Sequence, residues 1–146
     1  MQSPVIPAVV IRRVLSARPE RVYQAWTTPQ LATEFICPAD VSVADVALDV
    51  RVGGTYHIAM RVSNGEIWTV RGVYREVVPN SRLSMTWKWD EDDPSQEQET
   101  LLTIDLAPHG TGTELTLTHE QFKSEESRNN HEEGWNSMLD KMETLR

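Results

Sequence analysis

Four histidines and one cysteine are the side chains of this 146-residue chain best suited to move a proton, hold a metal or attack an electrophile. His131-Glu132-Glu133-Gly134-Trp135 partly matches the His-Glu-x-x-His pattern, in which two histidines one helical turn apart grip zinc. A tryptophan stands in place of the second histidine, and His57, His109 and His119 have no spacing that would supply it. No metal is expected. Cys37 precedes Pro38 with no identifiable base to activate it, so a nucleophilic role is the weaker reading. There is no Gly-x-Ser-x-Gly elbow, and Gly53-Gly54 lacks the lysine and spacing of a phosphate loop, so no cofactor is expected.

His119 and His131 are more informative because of their neighbours. His119 shares the face of an alternating stretch with Leu115 and Leu117, and His131 lies one helical turn before Trp135. Either could be a hydrogen-bonded histidine in or beside a core. Either could instead fix the orientation of a ligand in a mostly apolar pocket. The same choice faces the large side chains. Met60, Tyr74, Met85, Trp87, Trp135 and Met138 could be plain packing, or walls of a pocket whose shape the methionines let adapt. Gly134, mid-helix beside Trp135, suggests a close approach of sheet, loop or ligand, since glycine there costs ~1 kcal/mol relative to alanine.

These residues need elements to position them. From Ser124 to Leu145 the apolar residues Trp135, Met138, Leu139 and Met142 recur at i, i+3, i+4 and i+7, which predicts a long amphipathic helix. Ser124 is a suitable cap, with Glu125 and Glu126 in the first turn where the macrodipole favours negative charge. Residues 8–15 are β-branched enough for a first strand, which Pro4 and Pro7 push towards a sheet edge. Two short helices follow. One carries Pro19 at its start and Val22, Ala25 and Trp26 on one face; the other has Thr28 as cap, Pro29 at its first position and a Leu31/Phe35 pair, and ends at Cys37-Pro38.

From Val41 to His119 the period is two. Apolar residues switch from odd positions (Val41, Val43) to even ones (Val46, Leu48, Val50), which predicts a bulge near Ala44-Asp45. Asn64-Gly65 predicts a hairpin turn, and Pro79-Asn80 and His109 to Gly112 predict two more. Leu83, Met85, Trp87 and Trp89 alternate with polar residues, and the acidic run 90–93 reads as a solvated loop. Six such strands after the short helices, then one long helix, make a two-layer α+β domain spanning 1–146, with a curved antiparallel sheet wrapped around the C-terminal helix.

The chain resembles the activator of heat-shock-protein-90 ATPase homologue-like proteins of the START-like (SRPBCC) superfamily. The matching residues run from Arg13 to Pro29 and include Asp49 to Gly54, Gly72 to Glu76, Arg82 to Trp87, Gly112 to His119 and His131 to Trp135. The resemblance implies a helix-grip fold with a hydrophobic cavity between sheet and long helix. It does not imply one reaction. Where that family usually carries a Trp-Trp-Gly-Pro-like segment, this chain has Phe35-Ile36-Cys37-Pro38, so the lining there is altered.

Composition narrows the partners. Twenty-two acidic against 14 basic residues give a formal charge of −8, which opposes binding to nucleic acid or to an acidic membrane. A lone cysteine forms no internal disulfide, and the N-terminus lacks a basic region followed by a long apolar run, so a cytoplasmic location is expected. The function expected is non-catalytic binding of a small hydrophobic or aromatic molecule. Met60, Tyr74, Met85, Trp87, Trp135 and Met138 would form its walls, and His119 and His131 would supply polar contacts. Two alternatives stand beside it: a co-chaperone-like interaction that stimulates a chaperone ATPase, and a cyclase- or hydrolase-type enzyme using His119 or His131 as acid or base.

Overall fold

The computed structural model describes residues 5–146, so Pro4 lies outside the described residues. Seven strands and three helices follow one another as β1 (Val9–Leu15), α1 (Pro19–Thr27), α2 (Pro29–Phe35), β2 (Ser42–Leu48), β3 (Thr55–Arg61), β4 (Ile67–Val78), β5 (Arg82–Trp89), β6 (Glu99–His109), β7 (Gly112–Glu120) and α3 (Glu125–Met142). The strands form one curved antiparallel sheet in the order β1-β7-β6-β5-β4-β3-β2, with β1, which follows Pro7, at one edge. This is the expected α+β helix-grip, with α3 lying along the concave face. No helix among the described residues is long and apolar enough to cross a membrane.

Local chemistry accounts for most of the boundaries. The Ser124 hydroxyl accepts from the Ser127 amide at 3.1 Å and starts α3. Gly65, with φ +90°, supplies the left-handed position of the β3–β4 turn. The parity switch in β2 is a register shift between Val43 and Asp45 opposite β3. Thr28, however, does not cap α2. Its hydroxyl donates back to the Gln24 carbonyl at 2.7 Å, which also accepts from the Thr28 amide at 2.9 Å at the end of α1. On α2 it is Ala32 that is buried, while Leu31 and Phe35 are only half-buried.

A second irregularity, between Tyr74 and Glu76 opposite β5, has no counterpart in the sequence pattern. Just before it, Gly72 permits a close approach, because a Cβ there would sit 1.9 Å from the Thr86 carbonyl oxygen and 2.8 Å from the Tyr56 ring. With no side chain in the way, the Tyr56 phenol passes over β4 and donates to that carbonyl at 2.5 Å. The Thr86 hydroxyl in turn accepts from the Val73 amide at 2.8 Å, which buries Thr86 despite its position on the outer face.

Helix α3 buries Trp135, Met138, Leu139 and Met142. Polar contacts fix its rotation at two places. Arg13, on the inner face of β1, reaches Asp140 at 2.8 Å, Glu143 at 3.1 Å and the Asn136 side chain at 3.0 Å. On the other side, Lys141 donates to the Cys37 carbonyl at 2.9 Å, and the Ala39 amide donates to the Ser137 hydroxyl at 3.0 Å.

Candidate functional site

The helix stripe closes against the sheet only along its C-terminal half. Beside the N-terminal half, sheet and helix diverge and leave a cleft of about 650 Å³, within the range typical of small-molecule sites. Met60, Trp68, Trp87 and Trp89 form the sheet wall. Opposite stand His131, Gly134 and Trp135 of α3, and Ile36, Pro38 and Val41 close the end. Of the eight side chains that the sequence nominated, Met60, Trp87, His131 and Trp135 line this cleft. Tyr74, Met85, His119 and Met138 lie in the core behind it, each no more than 4% exposed.

An aromatic chain connects the two groups. Trp135 stacks at a tilt on Trp87, with centroids 4.9 Å apart, and lies 6.1 Å from Trp26. Trp87 meets Trp89 edge-on at 5.8 Å. These spacings fall in the range where tilted and edge-to-face pairs are favourable. The indole N–H groups of Trp26 and Trp87 are buried and have no acceptor among the described residues, although most buried donors are paired. Trp87 thus lines the cleft while its N–H stays sealed inside the protein.

Both histidines are fully engaged. Trp135 donates to His119 Nδ1 at 2.9 Å, so Nε2 carries the proton, which it donates to the Thr100 hydroxyl at 2.6 Å. Thr100 passes a hydrogen bond on to the Trp87 carbonyl at 2.9 Å. Burial, reinforced by the neighbouring His131, pushes the His119 pKa down to about 2. His131 has the opposite tautomer. Its Nδ1 donates to the Ser127 carbonyl at 2.7 Å and its Nε2 accepts from Trp89 at 2.9 Å. Burial lowers its pKa too, partly opposed by the Ser127 carbonyl. Each imidazole therefore spends both nitrogens inside the protein, orienting tryptophans and leaving neither a lone pair nor a proton to a substrate.

The remaining candidate chemistry is also constrained. Cys37 is buried, and desolvation raises its thiol pKa to about 11 against a smaller lowering by Lys141, which favours the unreactive thiol. Among the described residues, no group of three or more His, Cys, Asp or Glu side chains could hold a metal ion. The acidic run differs from a free loop. Asp90 is clasped by Arg71 through two contacts of 2.7 and 2.6 Å, which holds its carboxyl below the usual range, and Asp93 caps a short turn at Ser95. Asp90 and Glu91 belong to the rim of the cleft.

Sequence reasoning missed Trp68, Trp89 and the Ile36-to-Val41 wall. A signal for the first two was present. Trp68 pairs with Met60 across β3–β4 and Trp89 follows Met85 and Trp87 at period two, so all are directed to one face. The wall at Ile36 and Pro38 falls where the resemblance marked a departure, in the segment that replaces tryptophans with Phe35 and Ile36.

A curved antiparallel sheet gripping a C-terminal helix, with a cleft between them, defines a START-like helix-grip protein. Residues 16–145 match the model of the activator of Hsp90 ATPase homolog 1-like protein family, and the chain belongs to that family. Protein CV1439 from Chromobacterium violaceum is similar in structure, with a TM-score of 0.85, 30% identity, and 94% of each chain covered. The AHSA1 (SPO3351) protein from Silicibacter pomeroyi has a TM-score of 0.84 at 25% identity, covering 94% of this chain and 96% of that one. Protein Ms6760 from Mycobacterium smegmatis, at 18% identity, TM-score 0.79 and coverage of 97% and 96%, shares the fold. The chain matches no curated protein in sequence.

Proposed function

We propose that the protein binds a small apolar or aromatic molecule, without turnover, in the cleft between β3–β5 and the N-terminal half of α3. The observation that carries this reading is the wall itself. Met60, Trp87 and Trp135 are buried in the fold yet line a space of about 650 Å³, large enough for a small ligand. The absence of turnover rests on the histidines, whose ring nitrogens are all committed to Trp89, Trp135, Thr100 and Ser127.

Gly134 provides the test. It lines the cleft, so Gly134→Phe projects a ring into the ligand space from a solvent-accessible turn of helix rather than from the core. Uptake of a neutral apolar dye by the native protein, lost in Gly134→Phe while thermal unfolding stays cooperative, is the expected result. Equal dye affinity in the two proteins would remove the cleft as the binding place. The family's name also points to a chaperone ATPase as a target. ATPase stimulation by this protein that Gly134→Phe leaves intact would assign that role to another surface.

A further inference from the structure

The cleft has a charge as well as a shape. Glu91 and Glu126 line it, are exposed at its mouth, and take part in no ion pair among the described residues. Asp90 is the third carboxylate of the rim, with Arg71 against it at 2.6 Å. No lysine or arginine lines the cleft, and His131 is neutral in its tryptophan and carbonyl contacts. The positive end of α3 does point this way through Ser124 and Ser127, but it amounts to roughly half a charge and already faces Glu125 and Glu126 in its own first turn. The mouth is therefore negative, and the chain as a whole, at −8, reinforces that sign.

Below the mouth the walls are indoles. Trp68, Trp87, Trp89 and Trp135, four of the five tryptophans of the chain, line this one space. Indole faces attract cations more strongly than any other aromatic side chain. Trp68, 53% exposed and anchored by its N–H to Glu66 at 3.2 Å, stands where an entering headgroup would pass. A carboxylate ligand would meet both the acidic rim and the negative faces of these rings. A purely neutral ligand would use the walls and leave the rim idle.

We infer that the ligand of this cleft is an amphipathic cation: an apolar or aromatic body that seats among Trp87, Trp89 and Trp135, with an ammonium group held at the mouth by Glu91, Glu126 and the face of Trp68. This rests on the binding reading above and specifies its chemistry.

The test compares three probes that share one apolar tail: octan-1-ol, octylammonium and octanoate, each competing with a neutral apolar dye for the full-length protein. Octylammonium should bind about tenfold more tightly than octanoate at low salt, with the alcohol between them, and the spread should shrink severalfold at high salt, where exposed charges are screened. In the Glu91→Gln, Glu126→Gln double variant the ratio of octylammonium to octanol affinity should fall to within about threefold, the remainder expected of indole faces alone. If the alcohol competes but octylammonium binds no better than octanoate, the cation assignment is wrong and the apolar cleft stands. If the double variant keeps the full ammonium preference, the two glutamates are not its source and the assignment to this mouth fails. If neither dye nor alcohol binds, the cleft is not a ligand site and both readings fall together.

Discussion

Replacing Gly134 with alanine should stabilise the protein, and the reason lies in what glycine does not do here. Gly134 sits ten residues into α3, in a regular helix where alanine is favoured over glycine by ~1 kcal/mol. Its φ is ordinary, and an added Cβ would meet only the Pro38 side chain, at 3.7 Å, a normal van der Waals separation. Packing therefore does not require glycine, in contrast to Gly72, where a Cβ would collide with backbone. The expected gain is about 0.5–1 kcal/mol, and for a chain of this size it should raise Tm by about 2–4 °C. Urea unfolding with an unchanged m-value would assign the gain to stability rather than to a more compact denatured state. A destabilisation of ~1 kcal/mol or more would refute the reasoning, since it would mean that the loop at Pro38 presses on the helix. The alanine should also leave dye uptake nearly intact, whereas Gly134→Phe removes it. Together they would show that the space beside position 134 accepts a methyl group but not a ring.

Three further outcomes follow from the interior. His119 titrates near 6.5 when unfolded and near 2 when folded, so the unfolded state takes up the proton first as pH falls; stability is complete above about pH 6.5 and declines by about 2 kcal/mol between pH 7 and pH 5. His131, shifted the same way, steepens that decline. His119→Gln, which keeps an acceptor for Trp135 and a donor for Thr100, should flatten it in urea titrations at the two pH values; an unchanged slope would mean that other groups carry it. Cys37, buried with its pKa raised to about 11, should react with a disulfide reagent at pH 8 orders of magnitude more slowly than in urea, and rapid native labelling would contradict its placement under Lys141. Arg13→Ala should lower stability by about 1–2 kcal/mol by cutting the tie between β1 and α3, without leaving a buried charge, because Asp140 and Glu143 are exposed; a cost below ~0.5 kcal/mol would make that tie a surface ornament.

The strands and the long helix were legible because their chemistry is local. Val43 and Val46 announce the β2 bulge by changing parity, and Trp135 to Met142 announce the buried stripe by their spacing. The β4 irregularity was hidden for the opposite reason. β4 carries apolar residues on both faces, so no parity switch marks the shift at Tyr74 and Glu76. Close by, a phenol from β3 bonds a carbonyl of β5 across a glycine of β4, a contact between residues thirty apart in sequence that no local pattern announces. Thr28 shows a different kind of ambiguity. Its side chain suits both capping the next helix and bonding back to the previous one, and only the end of α1 at Thr27 decides between them.

For the cleft, period gives the face of a residue but not its distance along the strand from the partner element. Met85, Tyr74 and Met60 share an inward face, yet the first two are buried in the core and do not line the cleft. Met60 and Trp68 lie further along, at the end of β3 and the start of β4, where the helix offers no large apolar side chain at all. Between Glu125 and Gly134 its residues are acidic, amide, hydroxyl, guanidinium, imidazole and glycine. An apolar sheet wall continues past the point where the helix stripe begins at Trp135. Two layers so mismatched in length can meet at only one end. The cleft is the other end, and its polar helix wall is the reason that a ligand with a charged head and an apolar body suits it better than the core-like pocket that the residue types alone suggest.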